Sequence, residues 1–202
     1  MLKNIIIIIV IIILIPCILA QLLILNTYIF SNTKLSCNIV KNLITKISPL
    51  AYIGNLSPMI YTSGKYMKSN KIDIIICNHI NTIDYCINMA VIKKYDDREI
   101  YYIVKKNTIL IPGMGFVLAC ADDLKLNRVI EDDGDNIRKF INKLTSGIII
   151  IYPEGTRYTK QKYIDSVKYC EENKLPILKN TLFPKMKGLH LLCTNLINEN
   201  KM

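Results

Sequence analysis

The chain has 202 residues, 51% of them hydrophobic, and a formal net charge of +10. That length allows one domain with a real core and leaves little room for two. Seven cysteines (Cys17, Cys37, Cys77, Cys86, Cys120, Cys170 and Cys193) are odd in number, scattered and without a CxxC pair, which excludes a disulfide framework and a structural zinc site; they read as buried apolar residues in a chain that works in a reducing compartment.

Much of the positive mean hydropathy, +0.28, comes from the amino terminus. Leu2 to Phe30 holds one charge, Lys3, and Ile5 to Ile15 is eleven aliphatic residues without a break. Roughly 20 apolar residues at a rise of about 1.5 Å cross a hydrocarbon core of about 30 Å, so Ile5 to Leu25 is expected to be a membrane anchor, residues 1–30 in all. A secretory signal fits less well, because its apolar core is about 7–15 residues and Ile18-Leu19-Ala20 is a poor cleavage site. Lys34, Lys41 and Lys46 follow the segment while only Lys3 precedes it, which puts residues 31–202 on the cytoplasmic side. A basic body behind an apolar anchor suits anionic membrane lipids or phosphate-bearing ligands. Nucleic acid would match the charge, but no recognisable module for it is present.

Residues 31 to 70 carry turn signals at Ser48-Pro49, Ser57-Pro58 and Ser63-Gly64. Ile72 to Cys77 is a short β-branched run that predicts a buried strand. A helix is expected over Tyr85 to Lys94, and a second strand over Glu99 to Val104. Ile137, Phe140, Ile141 and Leu144 recur at three- and four-residue spacing, which predicts an amphipathic helix from Asp135 to Leu144. Gly147 to Tyr152 predicts a third strand, ended by Pro153. Strands alternating with helices make this an α/β fold, a mostly parallel sheet flanked by helices. Chemistry in such sheets gathers beyond the carboxyl ends of the strands, here at Asn78 and at Pro153.

At the first of these places stands Asn78-His79-Ile80-Asn81-Thr82-Ile83-Asp84, with one of only two histidines in the chain. If His79 lies in the turn and Asp84 on the first turns of the helix, the carboxylate can reach the imidazole. Such a pair sets the tautomer and stabilises an imidazolium, the equipment of a general base acting on an alcohol. A structural histidine beside a helix start is the bland alternative. At the second place stands Tyr152-Pro153-Glu154-Gly155-Thr156-Arg157. Its glycine permits close backbone approach, and Thr156 and Arg157 offer a hydroxyl and a forked cation suited to phosphate.

In this order, each after a strand, the two segments resemble the glycerolipid acyltransferase family, which includes the lysophosphatidic acid acyltransferases. Two further blocks extend the resemblance: Ile111-Pro112-Gly113-Met114-Gly115 with Leu126-Asn127-Arg128, and Phe183-Pro184-Lys185-Met186-Lys187-Gly188. Together they cover about Asn78 to Gly188. The spacing from Arg128 to Asp133 and the Pro-Lys ending look most like the eukaryotic-type branch that contains lysocardiolipin acyltransferases.

The resemblance implies a phospholipid acyltransferase in which His79 and Asp84 are catalytic. His79 would deprotonate the acceptor hydroxyl for direct attack on acyl-CoA, a co-substrate, with no bound cofactor, no metal and no acyl-enzyme. Arg128, Glu154, Gly155, Thr156, Arg157 and Lys185 would line the site of the lysophospholipid acceptor. Lys105 and Lys106 read as a solvated basic patch and His190 as structural. Rival readings are an inactive lipid-binding homologue and a transacylase that needs no CoA. A hydrolase is disfavoured by the lack of a G-x-S-x-G elbow. Two departures from the family pattern matter. Asp122, Asp123 and Lys125 occupy a stretch that is usually apolar, so an interrupted strand is expected there. Fourteen residues follow Gly188, which suggests a carboxyl-terminally minimal or truncated form of the 31–202 acyltransferase domain.

Overall fold

A computed structural model describes residues 61–81, 84–110, 121–127 and 130–202. The anchor expected over residues 1–30, the block at Ile111 to Gly115 and Arg128 lie outside the described residues. No helix among the described residues is long and apolar enough to cross a membrane. The described residues divide between two compact units, 61–106 and 123–202 forming the first. The sheet and the candidate site belong to the first.

The elements run β1 (Ile72–Ile76), α1 (Asp84–Tyr95), β2 (Ile100–Lys105), a 3-10 helix (Lys106–Leu110), β3 (Leu124–Leu126), α2 (Ile130–Lys143), β4 (Gly147–Ile151), α3 (Lys160–Glu172) and α4 (Met186–Asn198). The four strands lie in the order β1-β4-β2-β3, and every pairing is parallel. β4 is Gly147 followed by four isoleucines, all five buried. A β-branched run without polar alternation belongs inside a sheet covered on both faces. Gly147 is obligatory where β4 begins: φ is +145°, and a Cβ there would stand 2.7 Å from the Tyr101 ring.

Strand alternation sorts the side chains into two faces. On one, Ile72, Leu124 and Ile149 pack with Ile137, Ile141 and Leu144 at α2 and with Leu192 and Leu196 of α4. On the other, the Tyr102 ring lies 4.1 Å from that of Tyr85 on α1, and its hydroxyl donates to the Tyr85 carbonyl at 2.9 Å. Met89 and Ile92, one and two turns along α1, are buried. α4 is closed off by the last residues. Lys201 Nζ donates to the carbonyls of Ile141, Asn142 and Leu144 at the carboxyl end of α2, while its own carbonyl accepts the Ile72 N–H at 3.0 Å.

At the acidic stretch before Arg128 the strand is short, three residues that begin only after Asp122 and Asp123. β3 forms with Leu124 and Leu126 flanking a half-buried Lys125. Asp123 is buried, and its Oδ1 accepts the Tyr102 N–H at 2.7 Å, so a side chain satisfies β2 at the point where β3 has not yet begun. α2 starts five residues earlier than its apolar spacing implies. Asp133, in its amino-terminal part, accepts the Asn127 N–H at 2.8 Å and ties the preceding loop to the helix; a carboxylate is favoured at that end.

At the amino-terminal ends of the strands an ion cluster around the buried Asp96 joins residues 66–73 to the α1–β2 connection. Asp96, just after α1, has a fully buried side chain and receives Arg98 through Nε and Nη2. Arg98 also bonds Asp73 of β1 and, at 2.8 Å, the Lys71 carbonyl. Tyr66 donates to Asp96 at 2.8 Å and Ser69 to Asp73 at 2.7 Å. The Arg98 hydrogen bonds hold the Asp96 carboxyl far below the usual carboxylate range. For Asp73, burial pushes upward, but Arg98 and Ser69 outweigh it and the net shift is downward. Groups with depressed folded pKa values stabilise the fold above their unfolded pKa, about 4, and lose that contribution as pH falls further. Urea midpoints of the wild type are therefore expected to drop steeply below about pH 4. Arg98→Met, which strands a buried carboxylate, is expected to cost about 3–5 kcal/mol at pH 7 and to weaken that acid dependence.

Candidate active site

The site grows out of one pairing. β1 and β4 lie in register with Ile76 opposite Ile151, and the Cys77 N–H continues the ladder to the Ile151 carbonyl at 3.0 Å. Three residues beyond each strand stand His79 and Glu154, so the two loops meet there. The His79 N–H donates to Glu154 Oε1 at 3.1 Å, and the His79 carbonyl accepts the Tyr158 N–H at 2.7 Å. Both backbone polar groups of the histidine are thus held by the loop after β4.

Its ring is held by α1. Asp84, the first residue of that helix, turns one oxygen, Oδ2, back over the loop. It accepts the N–H groups of Ile80 and Asn81, both at 2.8 Å, and contacts His79 Nδ1 at 3.0 Å. An oxygen already receiving two N–H donors can only accept from the third. Nδ1 therefore carries the proton and Nε2 of the neutral ring keeps its lone pair. Among the described residues nothing bonds Nε2, and the two side chains are 26% and 17% exposed, which leaves the pair accessible. Tyr152 stacks on the imidazole with centroids 4.5 Å apart. The Tyr152 hydroxyl accepts from Asn88 Nδ2 at 2.9 Å. Asn88 lies four residues after Asp84, hence on the same face of α1, so a single helix controls the ring's edge and, through Tyr152, its face. The Cys77 thiol beside this cluster is pushed up, mainly by burial, and stays a thiol rather than a nucleophilic thiolate.

The turn after β4 is braced from below. Glu154 is 3% exposed. Besides the His79 N–H, its Oε1 accepts from Thr181 Oγ1 at 2.5 Å. Gly155 has φ +67° and donates to the Tyr152 carbonyl at 2.9 Å. The Lys185 N–H donates to the Pro153 carbonyl at 2.7 Å, and the Lys185 stem passes 3.7 Å from where a Gly155 Cβ would be. Thr156 Oγ1 and the Arg157 carbonyl both accept from Lys162 Nζ on α3.

His79, Asp84, Glu154, Gly155, Thr156, Arg157 and Lys185 thus come together at the carboxyl ends of β1 and β4. Glu154, however, faces inward as a brace and is not on the surface of the turn. Arg157 and Lys185 are exposed, as are Lys105 and Lys106 beyond β2. His190, read as structural, is exposed on α4. Sequence reasoning passed over Asn88, whose i+4 spacing from Asp84 was a usable signal. It also passed over Thr181, whose partner Glu154 lies 27 residues away, and Lys162, whose partners are the neighbouring Thr156 and Arg157 but at a spacing that carries no familiar pattern.

The chain matches the model of the acyltransferase family over residues 60–189. It belongs to that family. Among curated acyltransferases, a probable 1-acyl-sn-glycerol-3-phosphate acyltransferase 5 of Arabidopsis thaliana is 29% identical over 140 residues, which cover 66% of this chain and 37% of the relative. The epsilon 1-acyl-sn-glycerol-3-phosphate acyltransferase of Mus musculus is 26% identical over 136 residues, 63% of this chain and 37% of its own. The gamma enzyme of Homo sapiens is 26% identical over 120 residues, 57% and 32%. The chain spans about a third of the length of these relatives. No solved structure matches it.

The buried brace predicts a stability phenotype for an acyltransferase-motif residue. Glu154→Ala leaves the His79 N–H without its acceptor and is expected to cost about 2 kcal/mol in urea unfolding, Thr181→Val about 1 kcal/mol, and Glu154→Gln, which keeps an acceptor oxygen, less than either. Equal stability of Glu154→Ala and wild type would remove the brace.

Proposed function

We propose that this chain transfers a fatty acyl group from acyl-CoA to a hydroxyl of a lysophospholipid, lysophosphatidic acid or a close relative. The observation that carries the reading is the loading of Asp84 Oδ2. Two backbone donors and Nδ1–H saturate it, which leaves Nε2 as a base with no structural task. The acceptor hydroxyl gives its proton to Nε2 while its oxygen attacks the thioester carbonyl. Collapse of the tetrahedral adduct breaks the C–S bond, and the CoA sulfur takes the proton back from the imidazolium, so an ester and a thiol leave and His79 is restored. Asp84 stabilises the transient imidazolium. The protonated state of Cys77 supports direct transfer without an acyl-enzyme. Thr156, Arg157 and Lys185, with Arg128, supply hydroxyl and cationic groups for the acceptor's phosphate, and Glu154 holds the turn that presents them.

In this reading residues 1–30 anchor the enzyme and its catalytic part faces the cytoplasm. Donor and acceptor both partition into the membrane, so an anchored site meets them in two dimensions.

The test follows CoA release from acyl-CoA over a panel of lysophospholipids with the full chain in membranes. Release that depends on a lysolipid is expected. His79→Ala should lower kcat by about 10³-fold or more, and Asp84→Asn should lower it as well with KM little changed, because the amide oxygen can keep the three bonds but has no charge to stabilise the imidazolium. No acceptor-dependent release from the wild type would overturn the proposal.

A further inference from the structure

Lys162 belongs to none of the blocks that marked the site, yet it is built into the turn. Its ammonium donates to Thr156 Oγ1 at 2.5 Å and to the Arg157 carbonyl at 3.3 Å. Among the described residues no carboxylate pairs with it, and none pairs with Lys185. A surface lysine ordinarily keeps its head in water and its rotamer freedom, worth about 2 kcal/mol. This one is folded back onto two neutral acceptors, ordered without being neutralised.

Its two bonds have distinct consequences. A threonine hydroxyl has one proton and two lone pairs. With the ammonium on a lone pair, the proton is left to point elsewhere, and the polarised hydroxyl is a stronger donor. The second bond acts on the Arg157–Tyr158 peptide. Its carbonyl accepts from Lys162, and its N–H donates to the His79 carbonyl at 2.7 Å. One peptide unit therefore couples the position of the cationic turn to that of the base.

We propose that Lys162 makes this turn selective for a phosphate monoester dianion over a phosphodiester: it positions Thr156 as a donor and adds a third positive charge to those of Arg157 and Lys185. The inference rests on the acceptor reading given above. A monoester carries close to two negative charges at pH 7, a diester one. The Coulomb energy with a fixed cation scales with ligand charge, so losing the cation costs the dianion about twice the free energy it costs the monoanion. A displaced turn, by contrast, penalises both ligands alike.

The experiment measures equilibrium binding of 1-oleoyl lysophosphatidic acid and of 1-oleoyl lysophosphatidylglycerol to the full chain in mixed micelles without acyl donor. Turnover of both is followed beside it. Wild type is expected to prefer the monoester. Lys162→Gln keeps an N–H donor for Thr156 and the Arg157 carbonyl but removes the charge; it should weaken monoester binding about tenfold and diester binding about threefold. Lys162→Met should weaken monoester binding at least as much, and Lys162→Arg should restore the preference. Equal weakening for both lipids in Lys162→Gln, no weakening, or a wild type indifferent to the two would overturn the inference. Absent turnover with the binding preference intact would count against acyl transfer and not against Lys162.

Discussion

The site depends on the register of β1 against β4. Parallel strands have no shared turn to align them, so side-chain burial must do it. Here β4 contributes four consecutive buried isoleucines, and Gly147 admits the Tyr101 ring where the strand begins. A slip of one residue would turn Ile149 away from the α2–α4 face and part His79 from Glu154. The geometry of the candidate site is thus set by aliphatic packing, and the hydrogen bonds around His79 refine what that packing has already aligned.

The two ends of the sheet have divided tasks. At the amino-terminal ends, Arg98, Asp96 and Asp73 form a mutually satisfied ion cluster, and Lys201 ties the start of β1 to the end of α2. At the carboxyl-terminal ends the carboxylates of Asp84 and Glu154 hold the loops, and the exposed charges, Arg157, Lys185, Lys105 and Lys106, are cationic. Stability is drawn from the ion cluster at one end, so the other can carry a concentration of like charge, which costs stability by itself.

How far the sequence was readable follows the same division. β1, β2 and β4, the body of α2 and the range of α1 were legible because each combines a short apolar run or a helical period with a clear stop. β3 was not, since three residues preceded by Asp122 and Asp123 carry no periodic signal, and the compensating bond from the Tyr102 N–H to Asp123 spans 21 residues. α3 buries only Cys170, so its apolar pattern is faint, while α4 rests on Leu189, Leu192 and Leu196 at helical spacing that could have been read. In the site, His79 and Asp84 were legible because the pair is local. Family resemblance placed Glu154 with the ligand groups, whereas its partners, His79 and Thr181, are distant in sequence and turn it inward.

Asp84 and Glu154 hold loops together whether or not a reaction occurs. Asp84 gathers two backbone N–H groups, and Glu154 gathers one together with a hydroxyl. A relative without catalysis would still be selected to keep both, because losing either loosens the fold. Persistence of these two carboxylates in a lineage therefore records foldedness. The lone pair on His79 Nε2 is different: no bond of the described fold relies on it. Replacing the imidazole with a ring that stacks on Tyr152 and donates at the Nδ1 position, but has no base at the other, would leave architecture nearly untouched. The free nitrogen is thus the one atom of the constellation whose retention speaks for chemistry alone.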